Sequence, residues 1–80
     1  MKTVRYTADA LNDLRKLRND AKAIMAKIAR YAETGAGDVK GLVGRGGARR
    51  IRIGDFRAVF EETATGIIVT KIGHRRDIYE

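Results

Sequence analysis

The chain has no cysteine, no proline and no run of apolar residues long enough to cross a membrane. Without cysteine there are no disulfide staples, and the lack of a His or Asp/Glu cluster removes a structural zinc site as a substitute. A chain of 80 residues buries a modest share of its surface, so one hydrophobic core, or a partner that completes it, must suffice. Residues 1–80 are accordingly read as a single domain. The first twenty residues carry Arg5, Asp9, Asp13, Arg15, Lys16 and Arg18, which the apolar core of a signal peptide does not tolerate. A cytoplasmic location is the expectation, and a cysteine-free chain suits a reducing compartment.

Acidic residues are also short in supply. Seventeen Lys and Arg face ten Asp and Glu, for a formal charge of +7, and eleven of the seventeen are arginine. So much positive charge on so small a body attracts polyanions, nucleic acid first, or an acidic protein partner. Scattered cations merely solubilise, but these arginines are clustered.

Residues 1–6 alternate in the manner of a short strand, with Val4 and Tyr6 on one side. Thr7 then suits an N-cap, and Ala10, Leu11, Leu14 and Leu17 recur at helical spacing, predicting a helix over about residues 8–18. Asn19 or Asp20 is expected to cap a second helix, whose stripe is Ala21, Ile24, Met25, Ile28 and Ala32 and whose stop is Gly35. Residues 35–47 hold six glycines and read as a long flexible connection, anchored at its middle by Leu42 and Val43. A P-loop is disfavoured there, because no Gly-Lys-Ser or Gly-Lys-Thr follows and the next element has the period of a strand. Three strands are expected over about 48–54, 56–62 and 66–73, the first two joined at Gly54-Asp55. The order β-α-α-β-β-β implies a small α+β domain, an antiparallel sheet with an N-terminal helical hairpin packed on one face.

Residues 45–57 hold five arginines and one aspartate. Side chains two apart on a strand share a face, so Ile51, Ile53, Phe56, Ala58 and Phe60 form one apolar set and leave Arg50, Arg52, Arg57, Val59 and Glu61 on the other. The last strand is apolar on both parities. Assigning Ile68, Thr70 and Ile72 to the helices puts Lys71, and Arg75 if the strand runs on, with the arginines. Guanidinium forks displayed in a row are matched to phosphate oxygens. The chain closes with Gly-His-Arg-Arg-Asp-Ile-Tyr-Glu, and Ile78 and Tyr79 are costly to leave in water, which favours a tail folded back onto the domain.

These segments together, Arg-Arg-Ile-Arg-Ile-Gly-Asp-Phe-Arg-Ala-Val-Phe-Glu and Ile-Ile-Val-Thr-Lys-Ile-Gly-His-Arg-Arg-Asp-Ile-Tyr behind a helical hairpin, resemble the RelE/ParE superfamily of type II toxin-antitoxin toxins, in particular its RelE-type mRNA interferases. The resemblance covers nearly the whole chain. It implies a toxin that enters the ribosomal A site, cleaves the mRNA there without a metal or other cofactor, and is held inactive by a cognate antitoxin in an oligomeric complex. The implied chemistry is attack of a 2′-hydroxyl on the adjacent phosphate, leaving a 2′,3′-cyclic phosphate and a 5′-hydroxyl. The resemblance carries catalytic roles to Arg50, Arg52, Arg57, Arg75 and Tyr79. The neighbouring basic residues Arg49, Lys71, His74 and Arg76 are expected as further RNA contacts. Arg50, Arg52 and Arg57 suit charge stabilisation at the phosphorane, Tyr79 suits the base or its orienting group, and Arg75 serves the leaving oxygen, with His74 the alternative acid. Relatives often have lysine at the paired positions. Arginine there rules out a neutral amine base and shifts the burden to Tyr79.

Two other readings remain. A ParE-like toxin on the same fold inhibits DNA gyrase by protein contact and cleaves nothing. A basic RNA-binding module without catalysis is the other, although exposed aromatics for base stacking are missing from the arginine face.

Overall fold

The computed structural model describes residues 2–42, 44 and 46–78. The elements run β1 (Thr3–Tyr6), α1 (Ala8–Lys16), α2 (Arg18–Thr34), β2 (Asp38–Gly41), β3 (Ala48–Ile53), β4 (Phe56–Glu62) and β5 (Gly66–His74). The strands form one sheet in the order β1-β5-β4-β3-β2. The α+β class, the helical hairpin and the last three strands follow the sequence expectation. The sheet departs from it in two ways.

First, β1 lies parallel to β5, so the sheet is mixed rather than antiparallel throughout. The two helices form the crossover between β1 and the rest of the sheet, which lets β1 run alongside β5 in the same direction. Second, the glycine-rich connection contains β2, which pairs antiparallel with β3 and places Val39 opposite Ile51 at the edge of the core. That strand offers a single Asp-Val-Lys alternation, too short a signal to stand out among six glycines. Of the two residues expected to anchor the connection, Leu42 is buried, and Val43 lies outside the described residues.

Thr7 caps α1, its hydroxyl accepting from the Ala10 amide at 3.2 Å. The start of α2 differs from expectation. Leu17 alone joins the helices, and it caps α2 without a side-chain hydrogen bond, leaving Asn19 and Asp20 inside the first turn. Packing decides this joint, since the Leu17 side chain leans on the core. At the far end of α2, Gly35 adopts φ 77° and donates its amide to Tyr31.

Ile24, Ile28 and Ala32 of α2 and Ala10 and Leu14 of α1 pack onto Ile51, Ala58, Phe60, Ile67, Val69 and Ile72. Leu11 and Met25 stand on the flanks of their stripes and remain exposed. The apolar set of β3 and β4 faces the helices as its alternation requires. On β5 the expected parity fails beyond Ile72: Ile67 and Val69 enter the core, while Ile68 points outward and is 41% exposed. A β-bulge is the cause. Lys71 pairs with Val59 and Val69 with Phe60, so Thr70 is an extra residue and the alternation inverts across it. The Thr70 hydroxyl donates to the Val59 carbonyl at 3.3 Å, and the Thr70 carbonyl accepts from the Thr7 hydroxyl at 3.3 Å. Beyond the end of β1, the Ile72 amide on the open edge of β5 donates to the Asp13 carboxylate of α1 at 3.0 Å.

One polar cluster ties α2 to the sheet. Glu62 accepts from the Tyr31 hydroxyl at 2.7 Å and from the Lys2 ammonium, with Arg49 3.6 Å away. The hydrogen bond from Lys2 holds the Glu62 carboxyl below its usual range against the opposing pull of burial, with Tyr31 and Arg49 assisting. Burial, and then the Glu62 carboxylate, push the Tyr31 hydroxyl up. Because the folded Glu62 pKa is depressed, its contribution is present above the unfolded value of about 4.3 and is lost as pH falls through the folded value. Glu62→Gln is therefore expected to lower unfolding free energy by about 1–2 kcal/mol at pH 7. In urea melts followed from pH 7 to pH 3, the gap to wild type should narrow as the solution becomes acidic.

Candidate functional site

The sheet face turned away from the helices is built by the same alternation that fills the core. Arg50 and Arg52 on β3 and Arg57 and Val59 on β4 share it, and the register sets Arg52 directly opposite Arg57 and Arg50 opposite Val59. Gly54 makes the turn between them at φ 59°, a conformation a side chain would oppose. Lys71 joins this face through the regular β4–β5 register ahead of the bulge, which pairs it with Val59.

Two like charges held directly across a ladder repel, which disfavours the pair unless an anion intervenes. Arg52 is exposed and, among the described residues, has no carboxylate within ion-pair distance. Arg57 is half-buried, and its guanidinium donates to the Gly54 and Phe56 carbonyls at 3.1 and 3.0 Å, which aims it along the hairpin end. Arg50 is held otherwise. Its side chain is 12% exposed, and Nη1 lies 3.7 Å from the Asp38 carboxylate and 3.4 Å from the Asp38 carbonyl. The strand that supplies Asp38 also puts Lys40 opposite Arg50, a cation on this face that the sequence reading missed.

The tail folds back onto the same face. The Arg75 amide extends the ladder to the Asp55 carbonyl at 2.8 Å, which sets Arg75 at the hairpin end beside the arginines. The Asp77 amide then donates to the His74 carbonyl, and Ile78 settles against Val59 and Leu42 with 6% of its surface exposed. Gly73 makes room for it: a Cβ there would lie 3.4 Å from the Ile78 side chain. Arg76 is exposed on the turn. Tyr79, to which the resemblance assigns the base, lies outside the described residues, as does Arg45.

Two expected RNA contacts do not join the set. Arg49 pairs opposite Phe60, on the helix side of the sheet, and lies beside Glu62. His74 pairs opposite Phe56, also on the helix side, with its ring edge-on to Phe56 at 5.9 Å and its Nδ1 accepting from the Arg76 amide. Strand parity excludes both from the arginine face. Among the described residues no group of three or more His, Cys, Asp or Glu is placed to hold a metal ion.

A family model, the ParE toxin of type II toxin-antitoxin systems, matches residues 4–79. The chain belongs to this family. It is a type II toxin of the RelE/ParE superfamily, and among its described residues no helix is long and apolar enough to cross a membrane. Solved structures share its fold. The toxin resembles a chain of the RelB-RelE antitoxin-toxin complex from Methanococcus jannaschii, with 24% identity, 94% of each chain covered and a TM-score of 0.75. It is also similar to a chain of the toxin-antitoxin complex RelBE2 from Mycobacterium tuberculosis, with 26% identity, 92% and 98% coverage and a TM-score of 0.66. A chain of the E. coli DinJ-YafQ complex aligns over 99% of this chain and 98% of its own, with 12% identity and a TM-score of 0.75. Among curated proteins no match was found.

The toxin's tail gives a direct test of this geometry. Ile78→Ala, which empties the contact with Val59 and Leu42, is expected to cost about 2 kcal/mol in thermal or urea unfolding and to speed carboxypeptidase trimming. Gly73→Val should reproduce the second effect by filling the seat from below.

Proposed function

We propose that the toxin is an mRNA endonuclease acting in the ribosomal A site and neutralised by a cognate antitoxin. The observation that carries this reading is the opposed Arg52 and Arg57 on an open sheet face, with Arg50, Lys71 and Arg75 around them and the tail folded onto it. Such a pair is relieved when a phosphate lies between the two guanidinium groups.

In the reaction, the 2′-oxygen bonds to the adjacent phosphorus as the bond to the 5′-oxygen breaks. A base takes the 2′-proton and an acid restores one to the leaving 5′-oxygen. Arg52 and Arg57 meet the charge that builds on the non-bridging oxygens. Arg50, leaning on Asp38, supports the same charge from the β2 side. Arg75 serves the leaving oxygen, and Tyr79 acts as base or orients it. No step requires a cofactor. Neighbouring structures solved as antitoxin-toxin complexes support a cognate antitoxin as partner in an oligomeric assembly, and the cytoplasm is where ribosome and antitoxin would be met.

A gyrase inhibitor is the second reading, favoured by the ParE name of the matching family model. Conditional expression with transcript-end mapping, paired with a supercoiling assay on purified protein, separates them. Wild type is expected to leave new 5′-hydroxyl ends within translated codons, with Arg52→Ala slowing cleavage about a hundredfold and Tyr79→Phe at least about a hundredfold. Loss of supercoiling without transcript cleavage would replace this reading with the gyrase one.

A further inference from the structure

The basic face does not end at β5. The parallel pairing of β1 sets Arg5 opposite Ile68, on the side of the sheet away from the helices, since Val4 and Tyr6 face the core. Arg5 is exposed and, among the described residues, has no acidic partner within ion-pair distance. Beside it a shallow recess of about 260 Å³ is lined by Thr3, Arg5, Thr63, Thr65, Gly66 and the Ile67-Ile68 segment. The Thr63 hydroxyl shapes its rim, accepting from the Gly66 amide at 3.1 Å and donating to the Gly66 carbonyl at 3.3 Å. Gly66 lets β1 approach closely, for a Cβ there would lie 3.2 Å from the Thr3 carbonyl.

Ile68 lies on the same recess. The bulge at Thr70 turns it outward, so an apolar side chain 41% exposed stands next to the exposed Arg5 and a hydroxyl-lined hollow. That combination offers an apolar contact for the face of a nucleobase and a cation for its phosphate. Glu61 stands opposite Ile68 on β4, exposed, and repels phosphate from that flank. The favourable track therefore runs along β5 and β1, from Arg57 past Lys71 to Ile68 and Arg5. Arg57 and Glu61 are four residues apart on β4, and β1 is two strands away, which puts Arg5 about 16 Å from Arg57.

We propose that Arg5 and Ile68 form a second RNA subsite, in which Arg5 holds a phosphate and Ile68 carries a base, several nucleotides from the scissile phosphate at Arg52 and Arg57. The inference rests on the RNA reading of the arginine face. It adds a length requirement: a long single strand spans both subsites and a short one only the first.

Fluorescence anisotropy with uncleavable 2′-O-methyl RNA at low salt tests it, using a trinucleotide and a dodecanucleotide on the purified toxin. Wild type should bind the longer strand more tightly. Arg5→Ala and Ile68→Ser, both at exposed positions, should each weaken binding of the dodecanucleotide by about three- to tenfold and leave the trinucleotide unchanged. Arg5→Ala should also reduce the slope of log K against log salt by about 0.7, and Glu61→Gln should tighten the longer strand. If both variants match wild type on the dodecanucleotide while Arg52→Ala weakens it, the second subsite is wrong and the arginine face stands. If wild type binds neither strand, the RNA reading beneath the inference fails with it.

Discussion

Arg52 stands opposite Arg57 because Ile51 stands opposite Ala58, and the second pairing holds the first in place. Ile51 and Ala58 lie in the core against the helices, with 2% and 0% of their surfaces exposed. A slip of one residue in the β3–β4 hairpin would carry guanidinium groups into that core and expose isoleucine, so burial on one side enforces like-charge crowding on the other. The left-handed Gly54 fixes the turn that sets this register. The helices never touch the arginine face, yet by covering the opposite side they determine which residues form it.

The bulge at Thr70 extends the same logic to β5. Strict alternation from Ile72 would have buried Ile68 and left Ile67 and Val69 in water. One inserted residue inverts this, retaining Ile72 and Lys71 in the places that β4 requires and filling the core beneath β1 with Val69 and Ile67. It also turns Ile68 outward beside Arg5. Bulges re-aim side chains near functional surfaces, and this one does so where the basic face meets β1.

Two devices close the periphery. Glu62 gathers Lys2 just ahead of β1, Tyr31 of α2 and Arg49 of β3, joining separate parts of the chain through charge-assisted bonds in a molecule too small to rely on its core alone. On the opposite face the tail seats Ile78 over Gly73 and against Val59 and Leu42, a small second cluster in the midst of the cations. Apolar contact thus brings Ile78 and the turn before it to the arginines, where the charges alone would leave them in solvent.

Features set by short stretches of chain were legible in the sequence: the Thr7 cap, the Gly35 stop, the helical hairpin, three strands within a residue or so of their bounds, and the parity of Arg50, Arg52 and Arg57. Each depends on side-chain period or turn chemistry, which act over a few residues. The strand pairings set Arg49 and His74 on the helix side, although the sequence groups both with the basic residues around them. What required tertiary structure was every pairing between distant segments. The parallel partner of β1, the recruitment of β2 with its Asp38 hold on Arg50, the extra residue at Thr70 and the seat of Ile78 all depend on which backbone groups meet across the sheet. A local pattern records which side of a strand is apolar. It does not record where a neighbouring strand will force that pattern to change sides.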